Sequence, residues 1–187
     1  MMARRVEQIS GPETRASLSA WHNVAVTLVE TGEPARAIPL LRRILRDAGR
    51  LADPDPSLVC AAKITLALAY MRDGMFPESK SLLAELAAGQ PQEFDLVIPI
   101  VRAEWLLRQR EFHEAHAVLE DCLRQKSPRD ETRLAALQLA ALADFAAGDS
   151  RMSMVRFREA LALAEELWGS DSESLIVLLE AQKQVAG

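Results

Sequence analysis

The sequence predicts an all-α fold, a right-handed α-solenoid of about four helix-turn-helix hairpins followed by a C-terminal capping helix. Three observations predict it. Apolar residues recur at three- and four-residue steps along most of the chain, which places them on one side of a helix. Hydrophobic residues make up 49% of the composition but aromatic ones only 5%, and no run alternates Val, Ile, Thr and aromatic residues as a strand would. Turn positions Gly32, Gly74, Arg110 and Gly148 lie 42, 36 and 38 residues apart, a spacing that belongs to stacked helical pairs.

The segment from Ala20 to Leu45 states the unit most clearly. Trp21, Val24, Ala25 and Leu28 form the stripe of a first helix, Gly32 ends it, and Pro34 suits the first turn of the next. Ala37, Leu41, Ile44 and Leu45 continue the period on the return helix. Neither helix buries its stripe alone, so the two close as a hairpin that still leaves an apolar flank for a neighbour.

The remaining elements follow in order. Ser10 and Glu13 have capping-box spacing around Pro12, so the first helix is expected to start there, with residues 1–10 as a tail. Asp53 to Ser57 break the pattern before a helix carrying Ala62, Leu66, Ala67 and Tyr70, then Gly74, then a partner carrying Phe76, Ser79, Leu83 and Leu86. Gly89 and Pro91 end the second hairpin. The third has its first helix within Phe94 to Gln109, where Pro99 either marks the true start, leaving 92–98 as loop, or kinks a longer helix. Its return stripe is Phe112, Ala115, Leu119 and Cys122.

Ser127, Pro128 and Asp130 open the fourth hairpin, with Leu137, Ala140, Ala141 and Asp144 before Gly148, and Ser153, Phe157 and Ala160 after it. Trp168 and Gly169 close it. Ser170 and Glu173 again have capping-box spacing, ahead of Leu175, Ile176, Leu178 and Leu179. The expected organisation is a single domain over 11–187, with units at about 17–52, 57–91, 94–127 and 130–168 and a capping helix at 171–186.

Charge and cysteine usage narrow the function classes. The net charge is −5, but residues 1–50 hold eight arginines against five acids, so the rest of the chain is strongly acidic. That balance disfavours nucleic acid as a ligand, which needs a clustered basic face. Eighteen arginines against four lysines point to a GC-rich, bacterial coding sequence. Cys60 and Cys122 stand far apart without a C-x-x-C pattern, the N-terminus has no apolar signal core, and no stretch is long and apolar enough to span a bilayer. A soluble, cytoplasmic protein is the expectation, with both thiols buried and inert.

Trp21, Val24, Ala25, Leu28, Gly32, Ala37 and Leu41 fall at the signature spacing of tetratricopeptide (TPR) repeats, as do Leu66, Ala67, Tyr70, Gly74, Phe76, Leu83 and Pro91. The chain resembles that family over roughly 17–187. The 42-residue step, the run Pro39-Leu40-Leu41-Arg42-Arg43 and the linker over 53–56 more narrowly resemble the longer repeats of kinesin-light-chain type. Arg102, Arg110, Asp144 and Ser153 depart from the pattern.

The resemblance implies a concave surface made by the first helices, at positions one and five past the Trp-like site. In this sequence those are His22 and Val26, Ile64 and Leu68, Ile100 and Glu104, and Gln138 and Leu142, with Met71 and Phe145 one turn further and Glu30 at the end of the first helix. Chaperone-binding members clamp a terminal carboxylate with Lys, Asn and Arg at such places. This set is absent here, so that activity does not carry over. A groove of Ile, Leu, Met and Phe suits an apolar or amphipathic segment instead.

No residues point to catalysis. His113 and His116, with Glu114 and Glu120 nearby, fall short of a metal-binding H-E-x-x-H and are expected to be a solvated surface pair. His22 is expected to be a contact residue rather than a catalyst. The eight glycines are scattered, and neither a phosphate loop nor a nucleophile elbow is present. The expected function is therefore a non-enzymatic protein- or peptide-binding module without cofactor, metal, nucleic acid or membrane. Its rivals are a homodimeric scaffold and a sensor of a peptide or small molecule that acts through a separate output protein.

Overall fold

A computed structural model describes residues 14–89, 91–125 and 130–169, and every regular element among them is helical. In chain order these are α1 (Arg15–Glu30), α2 (Pro34–Ala48), α3 (Pro56–Arg72), α4 (Phe76–Leu86), a 3₁₀ turn (Gln92–Phe94), α5 (Val97–Arg108), α6 (Phe112–Arg124), α7 (Glu131–Ala146) and α8 (Ser150–Trp168). The expected tail, the Ser10, Pro12 and Glu13 start signal, Ser127, Pro128 and the capping helix at 171–186 lie outside the described residues. The chain divides into two compact units, Met1–Ile98 and Pro99–Gly187. Within the first, α1 packs on α2, α2 on α3, α3 on α4, and α3 also on α1; within the second, α6 packs on α7 and α7 on α8.

Local chemistry places the helix starts. Thr14 caps α1 through a reciprocal pair: the Ser17 N–H donates to Thr14 Oγ1 at 3.3 Å, and the Thr14 N–H donates to Ser17 Oγ at 3.1 Å. Asp55 caps α3 by accepting from the Ser57 and Leu58 N–H groups, and it also meets Arg15 Nε of α1 at 2.6 Å. Asp130 and Asp149 cap α7 and α8 in the same way. Pro99 is the third residue of α5, inside the first turn, where its missing N–H has no intrahelical acceptor to lose. It marks a start rather than a kink.

The four turns share one construction. The residue after each turn position donates its N–H to a carbonyl five residues back: Glu33 to Leu28, Met75 to Tyr70, Glu111 to Leu106 and Asp149 to Asp144, at 2.7–2.9 Å. This geometry needs a left-handed residue before the donor. Gly32, Gly74 and Gly148 supply it with φ of 81°, 80° and 91°, and Arg110 adopts it with φ of 63°. An L-residue there costs about 1–2 kcal/mol, against about 0.4–1 kcal/mol lost when glycine loosens the unfolded chain. Arg110→Gly is therefore expected to raise stability by about 0.5–1 kcal/mol and Gly32→Ala to lower it by a similar amount in urea melts. The same sign for both would refute the shared construction.

Small side chains set the helix spacing. Ala25, Ala67, Ala103 and Ala141 on the first helices, and Ala37, Ser79, Ala115 and Ser153 on the return helices, all have no accessible surface. Ser79 Oγ donates to the Ala67 carbonyl oxygen at 2.9 Å across the hairpin. Around this row, α2 buries one side, Ile38, Leu41 and Ile44, whereas α3 is buried almost all round. That is the pattern of a helix with neighbours on several sides.

Candidate binding surface

Counting back from each turn places the expected groove residues in equivalent sites. Ten residues before the turn stand His22, Ile64, Ile100 and Gln138; six before, Val26, Leu68, Glu104 and Leu142; three before, Val29, Met71, Leu107 and Phe145. Their exposures differ. Ile64, Met71 and Ile100 are buried, at 6%, 1% and 7%, and offer a partner almost no surface. Val26, Leu68, Glu104, Gln138 and His22 are half-buried, and Glu30 is exposed. Leu142 and Phe145 are each 43% exposed.

His22 is engaged within unit 1. Thr65 Oγ1 of α3 donates to the Ala61 carbonyl oxygen at 3.0 Å, which uses its only proton, so it accepts from His22 Nε2–H at 3.0 Å. Burial lowers the His22 pKa, and hydrogen bonding to the Ala61 carbonyl pulls the other way. The folded chain therefore takes up this proton less readily than the unfolded one. Its contribution to stability is complete above an ordinary histidine pKa of about 6.5 and is lost as the pH falls through the lowered value. His22→Gln keeps an N–H donor without the titration, so its stability is expected to fall less steeply from pH 7.5 to pH 5 than that of the parent. Parallel profiles in urea melts would refute this.

The second polar cluster lies in unit 2 and corrects the expectation for His116. His113 is exposed, but His116 Nδ1 meets Asp144 Oδ1 of α7 at 2.8 Å. Buried Asp144 also meets Arg156 Nε of α8 at 2.6 Å, and Arg156 pairs with Glu120 of α6. Burial works against the Arg156 charge, but its hydrogen bond to Glu120 and the Asp144 carboxylate hold its pKa above the ordinary value. The equivalent pairs in the first three hairpins are apolar: Leu28 with Leu40, Tyr70 with Leu82, and Leu106 with Val118. The fourth hairpin alone has a carboxylate and a guanidinium at these two places.

No group of three or more His, Cys, Asp or Glu is placed among the described residues to hold a metal ion. Cys60 and Cys122 are buried free thiols whose pKa values are raised, first of all by burial, which disfavours the reactive thiolate. A cleft of about 350 Å³ between α7 and α8 is lined by Arg133, Leu137, Glu159, Ala162, Leu163 and Glu166, with neither histidine nor cysteine. No described helix is long and apolar enough to cross a membrane.

Neither a protein-family model nor a curated protein matches the sequence. Two crystal structures do resemble the chain: both are of a Podosopora anserina protein described as a kinesin light chain with nearly identical TPR-like repeats, one of them a single-site variant. They share 20% and 19% identity with it, at TM-scores of 0.63 and 0.62, over 90% of this chain and 84% of theirs. This chain has a TPR-like repeat fold. Within unit 1 the two first helices, α1 and α3, pack on each other, and Val29 near the end of α1 is buried.

Among the described residues, the large hydrophobic side chains that remain exposed all belong to the fourth TPR-like hairpin: Leu142, Phe145, Met152, Val155, Leu167 and Trp168. Sequence reasoning found the first two and missed Met152 and Val155. A signal was present. Met152 stands where the other hairpins have Arg36, Glu78 and Glu114, an apolar residue at an otherwise charged surface place.

Proposed function

We propose that this chain is a non-enzymatic protein-binding module. Its contact surface is the fourth hairpin, centred on Leu142 and Phe145, and its partner presents the apolar side of an amphipathic helix. The observation that carries this reading is the confinement of exposed large hydrophobics, among the described residues, to α7 and α8. Scattered single apolar residues are ordinary on a protein surface, but a concentration in one hairpin marks a place where another molecule removes water. Burying a leucine and a phenylalanine contributes about 1.5–3 kcal/mol each, enough to anchor a helix.

The test compares the parent with Leu142→Asp, Phe145→Asp in pull-downs from the native host read by mass spectrometry. Both positions are exposed, so helicity is expected to be unchanged in circular dichroism. A partner recovered by the parent is expected to bind the double variant at least about 30-fold more weakly, since each anchor of this kind contributes about 2 kcal/mol or more. An unchanged set of bound proteins at unchanged affinity would overturn the reading. Ile64 is unsuitable for such a test, because a charge at a 6% exposed position reports folding.

A further inference from the structure

The exposed side of α2 carries one sign of charge. Arg36, Arg42, Arg43 and Arg46, with Arg50 just past the helix end, are all exposed, and Asp47, the one acid of α2, is buried. At about 100° per residue these five arginines fall within about 120° of the helix circumference. The other return helices show no such excess: α4 has two acids and a lysine, α6 three acids and an arginine, and α8 three of each sign. The contrast is sharpest four and eleven residues after the turn. Arg36 and Arg43 stand where the second hairpin has Glu78 and Glu85 and the third has Glu114 and Asp121.

Neighbouring groups hold these guanidinium groups in place. Asp47 meets Arg43 Nε at 3.3 Å and Arg50 Nη1 at 3.9 Å, one turn to either side of it. Arg42 Nε donates to Tyr70 Oη of α3 at 2.9 Å, and its guanidinium lies over the Tyr70 ring, 5.5 Å from the centre. Arg36 pairs with Glu33 at the start of the helix. A guanidinium fixed by one partner keeps further N–H groups for a second, in a fork that matches a carboxylate. Asp47 and Glu33 balance two of the five charges, so the face retains a net charge of +3.

The spacing of the arginines selects an occupant. Arg36, Arg43 and Arg50 lie seven apart, about 10.5 Å per step along a helix, and carboxylates on one side of a partner helix recur at the same step. A long polyanion such as duplex nucleic acid matches less well, because the remainder of the chain is acidic and repels it.

We propose that the arginine face of α2 docks an acidic helix of a partner protein, whose carboxylates pair with Arg36, Arg43 and Arg50 along one side of the face and with Arg42 and Arg46 along the other. The surface belongs to a return helix of unit 1. It uses no residue of the fourth hairpin and none of the first-helix positions, so it stands or falls apart from the function proposed above.

Fluorescence anisotropy with the full chain tests it. The probe is a fluorescein-labelled peptide of three repeats of Glu-Ala-Ala-Glu-Ala-Ala-Ala, which places glutamates on one side of a helix at seven-residue steps. The parent is expected to bind it at low ionic strength and to release it as salt is raised. Arg36→Glu, Arg46→Glu is expected to bind at least about tenfold more weakly, because like charges then face each other. Arg151→Glu, Arg158→Glu changes the net charge equally at two exposed residues of α8 and is expected to bind as the parent does.

An equal loss in both variants would reduce the effect to net charge and overturn the proposal. So would a parent that does not bind the peptide. Tighter binding of a DNA duplex, or of phosphatidylglycerol vesicles, through the same two arginines would also overturn it, by assigning the face to nucleic acid or to a membrane. Arg36 and Arg46 are exposed and Asp47 keeps its partners in the first variant, so circular dichroism is expected to show the parent's helicity. If helicity falls, Arg36→Gln, Arg46→Gln replaces that variant, with an expected weakening of about fivefold, and unchanged affinity overturns the proposal.

Discussion

Replacing Asp144 with alanine is expected to cost about 3–5 kcal/mol, a loss large enough to leave unit 2 poorly folded at room temperature. The substitution removes little volume. Its cost arises because Arg156 stays buried after losing the carboxylate 2.6 Å from its Nε, with only Glu120 to balance its charge. A guanidinium cannot escape by deprotonating, so the penalty falls on the fold. The double variant Asp144→Leu, Arg156→Leu is expected to stay within about 1 kcal/mol of the parent, because exchanging a whole buried ion pair for apolar residues is often neutral or stabilising. It restores the kind of pair seen in Leu28 with Leu40. Urea melts followed by hydrogen exchange at α7 and α8 amides separate the cases. A double variant as damaged as the single one would show that the pair does more than fill a core position.

The second large effect contrasts two leucines. Leu41 of α2 has no accessible surface and sits in the core with Leu18, Ala25, Ile44, Ala62 and Leu66. Leu41→Ala is expected to cost about 2–5 kcal/mol, the transfer of the lost methyls plus the cavity they leave. Leu142→Ala removes the same atoms from a side chain that is 43% exposed, and its effect on stability is expected to stay within about 0.5 kcal/mol. If Leu142 carries partner binding, the two variants divide the phenotypes cleanly, one losing stability and the other affinity. A Leu142→Ala chain that melts like Leu41→Ala would place Leu142 in the core and remove it from the contact surface.

Much of this fold is legible in the sequence because it depends on short-range chemistry. A left-handed turn residue every 36 to 42 positions, a small residue on each facing helix and an aspartate ahead of a helix all act within a few residues of themselves. Periodicity along one helix says nothing about the neighbour lying beside it. That is why Ile64, Met71 and Ile100 were expected to line a groove and are instead buried. For the same reason, the partnership of His22 with Thr65, 43 residues apart, has no local trace.

Asp144 stands out in the sequence as a departure from its repeat, whereas no feature of the pattern singles out Arg156. Only the juxtaposition of both with Glu120 and His116 shows that one cluster replaces an apolar contact. The apolar surface of the fourth hairpin was half legible, through Leu142 and Phe145. Met152 and Val155 become visible only when the hairpins are laid over one another position by position.

The near-complete burial of α3 has a consequence for how the protein is made. A nascent chain that has reached Arg72 presents a helix whose apolar residues point in several directions, and α4, which covers one of them, ends only at Leu86. At about 5–20 residues per second, those fourteen positions take about one to three seconds to synthesise. During that interval the apolar side of α3 that α4 covers in the folded chain has no partner from its own hairpin.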